Sequence, residues 1–340
     1  MPKSTRKVSK KRPLGAHDLF GLRMISGLAI SADEQQIAYT VERMDQETNK
    51  YFSNIHLCDV TTGISRQFTH GDQSDGTPVW SPDGTTLAFV STRDKNTGIY
   101  LMPVEGGAER RIIEIDGAVG NLQWTPDGKE LLLCLRYNDS HFIANRKKKN
   151  EAPVYRHITR FFFRLDAAGY LPKDTFQVYV LNIDNGKLRK ITRGKRDNTD
   201  PHLSPDGKLI TFTSNRASDP DLDMDRNELF VVPFKGGKER LIPTPAGPVH
   251  SPKFSPDGKT IAYSGHDNPE DAWGVTNVHI WKVGLSGKPK ARNLMPMFDR
   301  MVHDQSLNDL DDSHAATPIE WSADGKRLFF LGSDTGVTNL

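Results

Sequence analysis

The stretch WSPDGTTLAFV, residues 80–90, decides the fold because it joins a turn signal to a strand signal. The tetrapeptide Ser81-Pro82-Asp83-Gly84 has residue types that a type I turn favours, with the proline ring holding φ at about −65°. A large apolar residue, Trp80, precedes the turn, and an alternating apolar segment at 87–90 follows it. The stretch therefore predicts a β-hairpin.

Variants of this tetrapeptide recur along the chain, which indicates an internal repeat. The further copies are Ser31–Glu34, Thr125–Gly128, Ser204–Gly207, Ser255–Gly258 and Ser322–Gly325. Their spacing is close to the roughly 40 to 50 residues of one four-stranded propeller blade, and the two long gaps must hold insertions. The residues predicted to build the blade turns are Asp33, Asp83, Gly84, Asp127, Gly128, Asp206, Gly207, Asp257, Gly258, Asp324 and Gly325.

A third and a fourth strand complete each repeat. The third strand appears at 99–104, 178–181, 229–232 and 279–283, and a glycine turn follows each one. Four antiparallel strands per repeat predict an all-β fold, a β-propeller of five blades plus the first hairpin of a sixth, which leaves the ring incomplete. The predicted blades cover about 24–71, 72–116, 117–194, 195–244, 245–297 and, in part, 317–340. The best helix candidate is the short segment 16–23.

Composition and charge restrict the location and the partners. The 340 residues are 36% hydrophobic and 26% charged, which is typical of a folded globular chain. No window approaches the roughly 18 apolar residues of a membrane span, and no apolar segment follows the basic start as in a secretory signal, so we expect a cytoplasmic protein. Residues 1–15 are predicted to be a basic, disordered tail ahead of a mildly acidic remainder. The tail contains no aromatic residue, so nucleic acid is an unlikely partner.

Motifs for catalysis and cofactor binding are missing from the sequence. No Gly-x-Ser-x-Gly nucleophile elbow is present, and the histidines show no spacing typical of a metal site. Cys58 and Cys134 lie in separate apolar strands, which predicts buried thiols and no disulfide. We therefore expect no catalytic, cofactor-binding or metal-binding residue. The insertion at 135–173, with its basic run at 146–149, and the acidic stretch at 298–316 are predicted to be solvated loops, the first carrying an extra strand or hairpin.

Four segments outside the repeat resemble the prolyl oligopeptidase family, in its acylaminoacyl-peptidase and dipeptidyl-peptidase-like branch. They are Asp18–Arg23, Val154–Arg160 with the later Gly169–Leu171, Ser214–Arg216 and Asp271–Gly274. The resemblance covers residues 16–340, and the blade turn itself is shared with TolB-like propellers. In that family a propeller, typically of seven blades, caps an α/β-hydrolase domain that carries the catalytic Ser, Asp and His.

The resemblance implies a function for this chain but transfers no catalytic residue to it. We expect the substrate-gating propeller of a cytoplasmic serine peptidase that acts on small peptides, with the hydrolase domain as its partner in cis. Because the repeat stops inside a blade, we expect an amino-terminal fragment without peptidase activity of its own. Leu19 and Phe20 of the short helix would contact the hydrolase domain. The alternative is a stand-alone TolB-like propeller that binds proteins or peptides.

Overall fold

A computed structural model describes residues 12–93, 96–138, 157–165, 169–224, 226–270, 276–304 and 319–340. These residues form an all-β propeller in which the sheets do not close into a ring, as predicted from the repeat. A single 3₁₀ helix, Ala16–Gly21, precedes the first strand among the described residues. None of the helical structure in this part of the chain is long and apolar enough to cross a membrane.

Each of the first five blades contains four antiparallel strands. Blade one consists of β1 (Arg23–Ile30), β2 (Gln36–Asp45), β3 (Lys50–Asp59) and β4 (Ser65–Gln67). Blade two consists of β5 (Ser74–Trp80), β6 (Thr86–Arg93), β7 (Asn96–Pro103) and β8 (Arg110–Ile115). Blade three consists of β9 (Gly117–Trp124), β10 (Glu130–Tyr137), β13 (Gln177–Asn182) and β14 (Leu188–Lys190), with the separate hairpin β11 (Arg164–Leu165) and β12 (Gly169–Tyr170) inserted before β13.

Blades four and five repeat the plan. Blade four consists of β15 (Thr199–Leu203), β16 (Leu209–Ser214), β17 (Glu228–Pro233) and β18 (Arg240–Ile242). Blade five consists of β19 (Val249–Phe254), β20 (Thr260–Gly265), β21 (His279–Gly284) and β22 (Arg292–Asn293). The sixth blade contains β23 (Met301–Val302), β24 (Glu320–Trp321), β25 (Leu328–Phe329), β26 (Gly332–Asp334) and β27 (Val337–Asn339).

The sequence repeat placed the start of the sixth blade at residue 317, whereas the structure starts this blade earlier in the chain. β23 pairs with β26, and β24 pairs with β25, so β23 and β24 are two halves of one first strand. The reason is that the acidic insertion interrupts this strand instead of preceding it. The predicted solvated loop 298–316 was wrong at its start, because Met301–Val302 form β23 and the Val302 side chain is fully buried. Residues 305–318 lie outside the described residues, as do residues 1–11 of the predicted basic tail.

The hydrophobic core lies between blades, and β10 shows how. Leu131 and Leu133 pack toward blade two, in a cluster that includes Ile99 and Leu101. The intervening Leu132 packs toward blade four, in a cluster with Ile210 and Phe212. Because successive side chains of a strand point to opposite faces, a strand covered on both faces needs a continuous apolar run. Full burial of each such side chain stabilises the fold by about 1.5 to 3 kcal/mol.

The first strands of successive blades gather around the propeller axis. β1 contacts β5, β5 contacts β9, β9 contacts β15, and β15 contacts β19. Each of these strands carries a bulge in which two residues lie opposite one residue of the second strand. The first residue of each bulge has a positive φ: Gly27, Thr77, Asn121, Asp200 and Ser251.

Candidate binding surfaces

The blade turns are held by one repeated hydrogen-bond pattern. In the turn of blade two, the Ser81 hydroxyl donates to Oδ1 of Asp83 at 2.6 Å, and the backbone N–H of Thr85 donates to the same oxygen at 3.1 Å. The other five turns repeat the hydroxyl to carboxylate bond at 2.6 to 2.7 Å. These bonds, first of all the one from the hydroxyl, lower the pKa of Asp83 and of its five counterparts. Such carboxylates stay ionised at neutral pH and are suited to holding the turn rather than to proton transfer.

The glycines that end the turns stack on the prolines of the preceding turns. A Cβ added to Gly207 would lie 3.4 Å from Cδ of Pro126, and one added to Gly128 would lie 3.7 Å from Cδ of Pro82. Gly258 and Gly325 stand in the same relation to Pro205 and Pro256. Successive turns therefore form a continuous row along one face of the propeller. At the matching position of blade one the residue is Glu34, with φ of +59°.

Arginines at one position of the fourth strand tie each blade to the next. Arg189 Nη1 donates to the carbonyl of Phe234 at 2.8 Å, which joins blade three to the residue that follows the third strand of blade four. The same bond recurs from Arg66 to Val104, from Arg110 to Ile183 and from Arg240 to Leu285. The sequence analysis did not predict these hydrogen bonds between blades, although the recurrence of arginine in the fourth strand was a signal that could have revealed them.

The amino-terminal segment leaves apolar side chains exposed. Leu19 of the 3₁₀ helix is 44% exposed, whereas Phe20 is half-buried. Ile25, Leu28 and Ile30 of strand β1 are also exposed, at 57 to 72%. The predicted contact residues therefore precede a first strand that carries three exposed apolar side chains.

The insertion in blade three is fastened to blade four by a charged pair. Arg160 donates from Nη2 to Oδ1 of Asp221 at 2.7 Å and from Nε to Oδ2 at 3.2 Å, and the N–H of Phe162 adds a bond at 3.1 Å. The Arg160 guanidinium lowers the pKa of the Asp221 carboxyl, whose side chain is only 8% exposed. A cleft of about 830 Å³ lies beside this pair, lined by both blades and by the insertion. Residues 139–156 and 166–168 of the insertion lie outside the described residues.

Among the described residues, the side chains considered for catalysis are either buried or distant from one another. Ser264 Oγ lies 3.1 Å from Nε2 of His303, but Ser264 is fully buried and its hydroxyl also donates to the carbonyl of His250 at 3.3 Å. This contact therefore joins strands and presents no accessible nucleophile. Within the described ranges, no three His, Cys, Asp or Glu side chains are placed to hold a metal ion. Burial raises the pKa of the Cys134 thiol, which makes it an inert core residue, whereas Cys58 is half-buried.

Comparison with known proteins relates the chain to propellers of peptidases. The family model of the TolB beta propeller domain matches residues 24–163 and 139–282. The uncharacterized peptidase YuxL of Bacillus subtilis is 27% identical over 215 residues, which cover 62% of this chain and 32% of that protein. Dipeptidyl-peptidase 5 of Arthroderma otae is 31% identical over 151 residues, which cover 42% of this chain and 19% of that protein. The chain thus spans about a third or less of these curated relatives.

Solved structures show the same fold at low sequence identity. Acylaminoacyl peptidase of Pyrococcus horikoshii matches with a TM-score of 0.67 and 15% identity, over 94% of this chain and 45% of that chain. The putative TolB of Agrobacterium tumefaciens matches with a TM-score of 0.52 and 17% identity, over 79% of this chain and 80% of that chain. At such identities the likeness concerns the fold alone. The geometry itself offers exposed surfaces on which a partner or a ligand could bind.

Proposed function

Because the chain belongs to the TolB β-propeller family, we propose that it is the amino-terminal, substrate-gating propeller of a cytoplasmic serine peptidase that acts on small peptides. The observation that carries the proposal is the partial match to peptidases, which leaves about two thirds or more of each relative unmatched. The catalytic Ser, Asp and His would belong to that unmatched part, and this chain would not be catalytic by itself. The natural substrates would resemble those of acylaminoacyl or dipeptidyl peptidases.

Two surfaces support a role beside a catalytic domain. Leu19, Ile25 and Leu28 are exposed large apolar side chains of the kind that a protein contact covers. We propose that Leu19 and Phe20 contact the hydrolase domain there. The row of blade turns and the arginine ties give the propeller a stiff frame, which a gating element needs if it is to exclude large substrates.

The domain division follows from the same proposal. Residues 1–15 would be a basic tail, and residues 16–340 would be the propeller, with blades at 24–71, 72–116, 117–194, 195–244 and 245–297. The sixth blade would begin with β23 at Met301. Strand β27 lies where the repeat expects the start of a third strand.

The test is to identify the native protein in extracts of its own cells. An antibody raised against the purified chain is used to precipitate the native protein after treatment of the extract with a fluorophosphonate probe. We expect a labelled band well above the 38.1 kDa of this chain, because the probe reacts with the serine of the hydrolase domain. The purified chain, treated in parallel, should remain unlabelled.

Two outcomes would contradict the proposal. An unlabelled native protein of about the mass of this chain would favour the stand-alone binding propeller. Labelling of the purified chain itself would show a nucleophile within these 340 residues. Preimmune serum and an extract treated with heat before the probe serve as controls.

A further inference from the structure

The bulge residues on the propeller axis form an open arc, which we call the axial collar: Gly27, Thr77, Asn121, Asp200 and Ser251. They occupy the same register in five first strands, each being the first of the two residues opposite a single residue of the second strand. Neighbouring members approach each other across blades. The N–H of Ser251 points to Oδ2 of Asp200 at 3.4 Å, and a Cβ on Gly27 would lie 3.7 Å from the backbone nitrogen of Thr77.

The collar faces the space along the propeller axis. A first strand has its own second strand on one side, and adjacent blades cover the two faces of its sheet. The remaining side of the strand is turned to the axis, so solvent that reaches the middle of the strand does so from there. Thr77 and Asn121 are exposed, and Asp200 and Ser251 are half-exposed. The collar thus places hydroxyl, amide and carboxylate groups at one register of neighbouring first strands, where each remains at least partly exposed.

The backbone geometry indicates that these side chains have a role that glycine could not fill. At positive φ a β-branched residue such as Thr77 is strained, and so is Ser251, whereas Asn121 and Asp200 are of the types that adopt this conformation most readily after glycine. Strained residues of this type occur most often at binding and catalytic sites, where the surrounding fold holds them in place. Glycine would relieve the strain, but it would remove the polar group that faces the axis.

Asp200 supplies the collar with a negative charge that no described cation neutralises. Its carboxylate forms no ion pair with the described residues, and its contacts to Ser251 N–H and to the Thr213 hydroxyl are long, at 3.4 and 3.5 Å. Lys253, on the next first strand, pairs with Glu320 instead. Thr77, Asn121 and Ser251 are uncharged, so Asp200 is the charged group of the collar as defined here.

We propose that the axial collar binds a peptide whose ammonium group pairs with Asp200, while Thr77 and Asn121 offer hydrogen bonds to the peptide backbone. An ammonium beside a carboxylate forms a charge-assisted hydrogen bond, which is stronger than a neutral one. The proposal rests on the proposed function, since it assigns a binding preference to the gating propeller. The ammonium could belong to the amino terminus of the peptide or to a lysine side chain.

The test is a ligand-observed NMR titration of the chain with three tripeptide amides. One is acetylated Ala-Lys-Ala, which carries only the lysine ammonium; one is free Ala-Ala-Ala, which carries only the terminal ammonium; and acetylated Ala-Ala-Ala carries neither. We expect the chain to bind at least one charged peptide about fivefold more tightly than the uncharged one, as a partly exposed ion pair allows. The two charged peptides identify which ammonium is bound.

Asp200→Asn is the decisive variant, because asparagine has the same shape and also tolerates positive φ. It should bind all three peptides with nearly equal affinity. The matched control Asp184→Asn removes the same charge from an exposed turn between β13 and β14 and should keep the fivefold preference. Circular dichroism and urea denaturation establish that both variants are folded.

The collar proposal is overturned if the chain binds the three peptides equally, or if Asp200→Asn retains the preference. It is also overturned if Asp184→Asn loses the preference to the same extent, since net charge would then explain the binding. None of these results depends on fluorophosphonate labelling of the native protein. A collar that fails while the labelled band is found would leave the peptidase proposal standing, and the reverse result would remove the peptidase while keeping a peptide-binding propeller.

Discussion

The blade turns and the axial collar both repeat a residue at positive φ, but they use different residues there. The turns of blades two to six have glycine, with φ between +67° and +71°: Gly84, Gly128, Gly207, Gly258 and Gly325. The collar of blades two to five has residues with side chains, at φ between +48° and +52°: Thr77, Asn121, Asp200 and Ser251. The same backbone demand is therefore met without strain on one surface and with strain on the other.

The difference distinguishes residues that hold the scaffold from residues that we propose to bind a ligand. At the turns a side chain has no partner to serve, and the glycine lets the proline of the preceding turn pack closely. At the collar a polar side chain remains although the backbone would favour glycine, which is consistent with a binding role. Blade one reverses the pattern, with Glu34 in the turn and Gly27 in the collar. A Cβ on Gly27 would lie 3.1 Å from Oγ1 of Thr40 and 3.3 Å from Cδ of Pro78, so this collar position has no room for a side chain.

The largest effect is expected from Gly207→Val in the turn of blade four. Valine is β-branched and disfavours the φ of +69°, and its Cβ would press on Pro126 at 3.4 Å. We expect the free energy of unfolding to fall by about 2 kcal/mol, measured by urea denaturation followed by circular dichroism.

Gly84→Val is the matched control, because Gly84 has φ of +71° but no atom within 4 Å of its added Cβ. It should lose less stability than Gly207→Val, and the difference measures the contact between turns. Equal losses would mean that the stacking on Pro126 contributes nothing. If neither variant lost stability, the glycines would not be required by the turns.

Thr77→Gly in the collar should have the opposite sign. Glycine adopts the φ of +52° without strain, so we expect the free energy of unfolding to rise by about 1 kcal/mol in the same assay. Thr92→Gly is the control, since Thr92 is an exposed residue of regular strand β6 and glycine should lower stability there by about 0.5 to 1 kcal/mol. A loss of stability in Thr77→Gly would contradict the strain on which the comparison depends.

The sequence predicted the turns because their signal is local. Serine or threonine, aspartate and glycine stand within four residues of one another, and the apolar strand follows directly. The all-β propeller was therefore predictable. The collar was not predictable, because the bulge arises from pairing with the second strand, and only asparagine and aspartate among its residues favour positive φ. Proline follows three of the collar residues, at Pro78, Pro201 and Pro252, and that recurrence was the available clue.

The contact between the insertion and blade four could not be predicted from the sequence either. Arg160 and Asp221 are 61 residues apart and belong to two irregular segments. No period of strand or helix relates them, so only the packing of blade four against the insertion reveals the pair. The extent of the sixth blade was misplaced for a similar reason, since the interrupted first strand has no continuous alternation to detect.

The smallest expected effect is the pH dependence of stability, which tests the carboxylates of the blade turns. The pKa values of Asp83, Asp206 and Asp257 are lowered in the folded state, mainly by hydroxyl hydrogen bonds. A carboxyl whose folded pKa lies below its unfolded value, about 3.9, stabilises the fold above that value and loses the contribution as the pH falls through the folded pKa.

The triple variant Asp83→Asn, Asp206→Asn, Asp257→Asn keeps an acceptor oxygen at each turn but cannot ionise. We expect its melting temperature to be lower than that of the unaltered chain at pH 7 and the gap to shrink between pH 5 and about pH 3. A gap of constant size over this range would show that the turn carboxylates do not contribute through their charge, and the turns would then be held by backbone geometry and glycine alone.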